Sequence, residues 1–186
     1  MLHRLKVFTA ATAVTTIAGL ALSGCSAVGD SDEAVPELPQ RLCWGAFAGS
    51  EVAPLLPGGE EADVRGAAVF DLADGKDTAT CTLYIDGNTK FQATARRQGT
   101  EDEVDWSSYE KAKPDPVDVG KKGIVWSNGA AAYFVCEGAG SSAASGSVVE
   151  LSLSTVGSPD EEKVRSTLPS LMRKFVGFAQ RELDCS

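Results

Sequence analysis

The spacing of apolar positions changes several times along the chain, and each change predicts an element. Val164, Leu168, Leu171, Met172, Phe175 and Ala179 recur in three- and four-residue steps, the stripe of an amphipathic helix. Arg165, Arg173, Lys174 and Arg181 fall opposite it. Ser158, Pro159, Asp160 and Glu161 ahead of the stripe read as a capping box, with proline in the first helical position and acids in the first turn. Pro169 lies inside the run and removes a backbone donor, which predicts a kink or break. Residues 147–156 alternate instead, with Val149, Leu151 and Leu153 on one side, the period of a strand with one buried face.

Residues 62–70, 78–85 and 90–97 are rich in Thr, Val, Phe and Tyr and read as strands. Asp86, Gly87 and Asn88 join the last two, with Gly and Asn able to take positive φ. A second hairpin, residues 123–126 with 130–136, turns at Ser127, Asn128 and Gly129. Between the hairpins, residues 98–122 read as a long polar loop with one helical turn, and residues 138–146 as a Gly/Ala/Ser loop. Nearer the start, Val52, Leu55 and Leu56 share one face of a short helix with Ser50 as N-cap and Pro57 as stop. Most connections are hairpins. The pattern therefore predicts an α+β fold, an antiparallel sheet of about six strands packed against a short N-terminal helix and a long C-terminal helix.

The first two dozen residues belong to none of this. His3, Arg4 and Lys6 precede an apolar run over residues 7–22, 16 residues long, short of the roughly 20 needed to cross a bilayer, so a cleaved signal peptide is expected. Leu22, Ser23, Gly24 and Cys25 match the lipobox of bacterial lipoproteins, making Cys25 the expected lipidation site. Two or more acyl chains there would anchor the protein stably, at roughly 0.8 kcal/mol per buried methylene. The expected organisation is a signal peptide over residues 1–24, a lipidated cysteine and flexible acidic tether over 25–41, and a single domain over 42–186.

Charge and cysteines narrow the functional classes. Cleavage removes Arg4 and Lys6 from 17 basic residues and none of the 26 acidic ones, leaving 15 against 26, or −11. Nucleic acid is excluded as a partner on that balance, since binding it relies on Lys and Arg neutralising phosphates. Cys43, Cys81, Cys136 and Cys185 form an even set in an exported domain, so two disulfides are expected. Three pairings are open. Cys43 with Cys81 and Cys136 with Cys185 is favoured, because it would pin the leading helix to a strand and the C-terminal tail to the sheet. The spacings of 38, 55 and 49 residues contain no C-x-x-C pair, so no metal site is expected.

His3, the chain's one histidine, leaves with the signal peptide. Histidine-dependent nucleophilic triads and His-ligated zinc are thereby excluded. Glu101, Asp102, Glu103 and Asp105 could serve a carboxylate-dependent hydrolase, but a charge run in a polar loop reads first as solvated surface. Neither residues 71–77 nor the Asp86 turn has calcium-loop spacing. Trp44, Trp106 and Trp126 could line a ligand site, although core packing is the commoner use of such residues.

The lipobox, the acidic Pro-containing tether, Cys43 ahead of the Val-Ala-x-Leu-Leu segment at residues 52–56, and Cys81 in a strand together resemble the uncharacterised small secreted lipoproteins of actinobacteria. The resemblance implies a sandwich like that of the PsbP-type extrinsic proteins, a cell-envelope location and no assigned catalytic residues. The expected function is a non-enzymatic, membrane-anchored module that binds an envelope component or protein and needs no cofactor. The alternatives are a carrier of a small apolar ligand between sheet and helix and, more weakly, a wall hydrolase.

Overall fold

The computed structural model describes residues 34–72, 75–136 and 147–185. The expected signal peptide, Cys25 and the Gly/Ala/Ser loop at 138–146 lie outside them. Nine strands and three α-helices run in chain order among the described residues. A two-strand ribbon, β1 (Arg41–Leu42) and β2 (Phe47–Ala48), leads into α1 (Gly49–Val52). Then come β3 (Ala62–Gly66), β4 (Thr78–Ile85) and β5 (Asn88–Gln98). The one-turn helix α2 (Ser107–Glu110) precedes β6 (Asp115–Val117), β7 (Lys122–Trp126), β8 (Gly129–Cys136), β9 (Ser147–Thr155) and the closing helix α3 (Glu161–Glu182).

Strands β3 to β9 form one antiparallel sheet in the order β3-β4-β5-β9-β8-β7-β6. Two hairpin runs, β3–β5 and β6–β9, are thus joined at the middle, where β5 pairs with β9. To reach the far edge after β5, residues 99–114 must cross a face of the sheet. This strap and α3 take opposite faces. On the α3 side, Phe91, Ala93 and Ala95 of β5 and Val149, Leu151 and Leu153 of β9 are buried with Leu168, Met172 and Phe175 of the helix. Each fully buried Leu, Met or Phe contributes about 1.5–3 kcal/mol, which is why the stripe fixes the helix on the sheet.

The rest of that inner face is filled from the N-terminal side. Phe47 meets Phe91 and Phe175 edge-on or tilted at 5.6 Å in both cases, while Val52, Leu55 and Leu56 are buried as their spacing predicts. Their helix differs from expectation. It is α1 plus a 3-10 turn, Ala53–Leu55, imposed by Pro54, and Ser50 lies inside it rather than capping it. The cap is the Glu51 carboxylate, which accepts from the Ala48 N–H at 3.1 Å. Ahead of it, Cys43, Trp44 and Gly45 take successive positive φ of 49°, 61° and 90°, a left-handed turn that no apolar periodicity could announce. It aims Cys43 at Cys81, to which it is disulfide-bonded, and stands Trp44 against Phe70 at 5.1 Å. The second disulfide, Cys136–Cys185, ties the tail three residues past α3 to the end of β8. Both bonds follow the favoured pairing.

Several further boundaries shift. The strand read over 62–70 ends at Gly66, and β6 is a seventh strand inside the stretch read as loop. In the β4–β5 turn the positive φ values belong to Asp86 and Gly87, with Asn88 already paired to Ile85. The β7–β8 turn is Ser127-Asn128, and Gly129 is the first residue of β8. Its role is room rather than φ, since a Cβ there would lie 2.3 Å from the Trp126 ring. Helix α3 starts after Asp160, whose carboxylate caps the Lys163 N–H at 2.9 Å, and it runs through Pro169 without a break. Packing of the stripe on both sides of Pro169 outweighs one lost backbone bond.

Residues 34–40, read as the end of the tether, lie against the body. Val35 and Leu38 pack on the core, the Gly49 N–H donates to Gln40 O, and the Gly59 N–H donates to Ala34 O at 3.2 Å. The chain therefore joins the body beside the Asp86 turn, where the Asp86 carboxylate accepts from the Glu60 and Glu61 N–H groups.

Candidate functional site

Alternation along β5 and β9 leaves the face opposite α3 with Gln92, Thr94 and Arg96 on one strand and Glu150, Ser152 and Ser154 on the next. Register sets Arg96 beside Glu150, Thr94 beside Ser152 and Gln92 beside Ser154. Beyond β5, Thr78, Thr80 and Thr82 continue the three rows on β4. Beyond β9, the rows turn apolar and aromatic on β8 and β7, at Tyr133, Ala131, Ile124 and Trp126. The strap covers this apolar half. Trp106 and Tyr109 pack on Ile124, Trp126 and Ala131, and Val104 is buried with Tyr133 and Val148.

The strap's acids hold it there. Glu101 accepts from the Tyr133 hydroxyl at 2.6 Å and pairs with Lys121. The Lys121 ammonium, then the Tyr133 hydroxyl, hold its carboxyl below the usual range, while the Glu101 bond pushes Tyr133 up. Glu103 accepts from the Gly99 N–H at 2.7 Å, and Asp105 accepts from the Ser107 hydroxyl at 2.6 Å. Three of the four acids weighed for a hydrolase thus fasten their own loop.

At the strap's inner edge Tyr109 reaches Glu150, its hydroxyl donating to one carboxylate oxygen at 3.1 Å while Gln98 Nε2 donates to the other at 2.8 Å. Glu150 is only 7% exposed, so these bonds offset its desolvation. Burial, then the Glu150 charge, push the Tyr109 hydroxyl up to about 12, so at neutral pH it remains the donor. Between the strap and the uncovered strands lies a cleft of about 170 Å³, lined by Gln92, Thr94, Arg96, Tyr109, Glu150 and Ser152.

A wider hollow of about 330 Å³ lies at the opposite end of the strands, lined by Ser127, Asn128, Thr155, Gly157 and Glu161 among others. Volume favours the hollow, and its buried Ser158 hydroxyl has no partner among the described residues, but its other polar groups are few and partly used locally. Asn128 O accepts from the Thr155 N–H at 2.8 Å, and the charge beside it is a further acid, Glu161, at an acidic helix start. The cleft instead brings a guanidinium, a carboxylate, a phenol, an amide and two hydroxyls to one place, and is the better site.

The tryptophans weighed as ligand residues line neither cavity: Trp44 stacks in the inner core, while Trp106 and Trp126 pack with Tyr109, the latter at 5.0 Å. The residues that do form the cleft were not singled out in the sequence. A signal existed in Glu150, one acid within Val148-Val149-Glu150-Leu151, and in the polar phase of residues 92–96. Among the described residues no group of three His, Cys, Asp or Glu side chains could hold a metal ion, and no helix is long and apolar enough to cross a membrane. The two disulfides point to an extracytoplasmic location. No family model, curated protein or solved structure matches the chain.

Proposed function

We propose that the protein is a non-enzymatic binding module of the bacterial cell envelope, lipid-anchored through Cys25 and akin to the small actinobacterial lipoproteins it resembles, which engages a polar envelope component or protein at the cleft beside Glu150. The observation that carries this reading is the cleft itself: the Arg96 guanidinium, the Ser152 hydroxyl and the Gln92 amide oxygen gathered on the sheet beside one buried carboxylate. A wall hydrolase needs a second acid about 5–10 Å away, and Glu150 is the one carboxylate among the lining residues. The carrier alternative needs room between sheet and helix, where Phe47, Phe91, Leu151 and Phe175 are packed at 0–2% exposure. Mass spectrometry of protein extracted from its host membrane tests the anchor. A diacylglycerol adduct on an N-terminal Cys25 is expected, and an unmodified chain that stays in aqueous buffer without detergent overturns it. Hydrogen-exchange footprinting with solubilised envelope tests the site, with protection expected at residues 92–96 and 150–152. Protection confined to other surfaces removes the cleft.

A further inference from the structure

We propose that the cleft takes a saccharide, seating one sugar ring of a hydroxyl-rich glycan between Arg96, Glu150 and Tyr109. The inference rests on the binding-module reading and gives its ligand a chemical class. Size comes first. At about 170 Å³ the cleft falls below the roughly 300 Å³ at which drug-sized sites begin. It therefore accepts one ring-sized unit, and because it opens along the uncovered half of the sheet, anything attached to that unit continues over the rows of β4 and β5.

Hydrogen-bond inventory comes second. Gln92 Nε2 is used on Thr82 Oγ1 at 3.2 Å, which leaves the amide oxygen as acceptor. Each Glu150 oxygen holds one donor and has room for another. The Ser152 hydroxyl and the exposed Arg96 guanidinium form no side-chain hydrogen bond or ion pair among the described residues, so the same space also offers donors. A purely anionic ligand would be attracted by Arg96 and repelled by Glu150, and a cation the reverse. Hydroxyl groups donate and accept at once, and a ring carrying several can satisfy both residues without bringing a charge. One strand further, at the usual spacing of about 4.8 Å, Thr78, Thr80 and Thr82 of β4 continue the rows with hydroxyl groups. The ring of Tyr109, braced by Trp126 and Trp106, supplies an aromatic wall for the sugar's C–H face.

The test is a titration of the purified, isotope-labelled protein followed by NMR. The probes are glucose, the tetrasaccharides of glucose and of N-acetylglucosamine, and dialanine as a zwitterion that could instead bridge Glu150 and Arg96. Saturable shifts at residues 92–96, 109 and 150–152 with at least one saccharide are expected; tighter binding of a tetrasaccharide than of glucose marks a glycan chain as the source, equal binding a free sugar. Arg96→Ala and Ser152→Ala, both with unchanged melting temperature, should each weaken saccharide binding by about five- to tenfold, and Val69→Ser, on a distant exposed residue, should not. If dialanine shifts these residues and no saccharide does, the sugar assignment falls while the binding site stands. If saccharide binding survives both cleft variants, the placement falls. If neither the probes nor solubilised envelope perturb these residues, the inference and the binding reading fall together.

Discussion

Glu150 shows how one side chain couples fold to site. It sits within an apolar strand, and a buried carboxylate there is tolerable only because Tyr109 and Gln98 each donate to it. Tyr109→Phe removes one donor without changing shape, and urea unfolding should show a loss of about 1.5–3 kcal/mol, the range for a hydrogen bond to a charged group. Gly129 is the second sensitive position, for steric reasons. A methyl there would meet the Trp126 ring at 2.3–2.5 Å and Leu153 O at 2.8 Å, so Gly129→Ala should destabilise by about 1–3 kcal/mol, read from the same unfolding midpoint. Neither role is written near the residue in the chain. Tyr109 and Glu150 stand 41 positions apart, and an Asn-Gly pair advertises a positive-φ turn whether or not the turn falls on it.

Among the elements, legibility follows how local each one's cause is. The α3 stripe and the alternation of β9 come from burial of one face, which periodicity reports directly, and β4 occupies the 78–85 read from composition. The left-handed turn at Cys43–Gly45 is held by a disulfide partner 38 residues away, and β6 is a three-residue edge strand, Asp-Pro-Val, too short to show a period, so neither is legible in the apolar pattern. Pro169 does not break α3, because one missing N–H is small beside eight buried helix side chains. That residual cost is measurable. Pro169→Ala restores the bond to the preceding turn and should stabilise the protein by about 1–3 kcal/mol, seen as a higher melting temperature.

The strap has a pH signature of its own. Glu101 titrates below its ordinary 4.5 when folded, so its contribution is present above that value and disappears as pH falls through the depressed folded one. Tyr109 is raised to about 12 from 10.0, so its contribution is complete below 10 and disappears as pH rises towards 12. Trp106 fluorescence should therefore be flat from about pH 5 to about pH 10 and change outside those limits. Glu101→Gln should abolish the acid limb and remove the Tyr133 share of the alkaline one, leaving the share due to Tyr109.

For the whole molecule, the two covalent links divide the inner face between them: Cys43–Cys81 secures the N-terminal layer and Cys136–Cys185 the C-terminal helix. Removing either by paired Cys→Ser changes should lower stability by about 2–4 kcal/mol in denaturant melts. The direction of the strands carries one more consequence. The polypeptide meets the body next to the Asp86 hairpin, whereas Arg96 lies eight residues further along β5, about 26 Å away at the usual rise of a strand. Ala34 and Arg96 thus mark opposite poles of the sheet, and whatever engages one of them leaves the other clear.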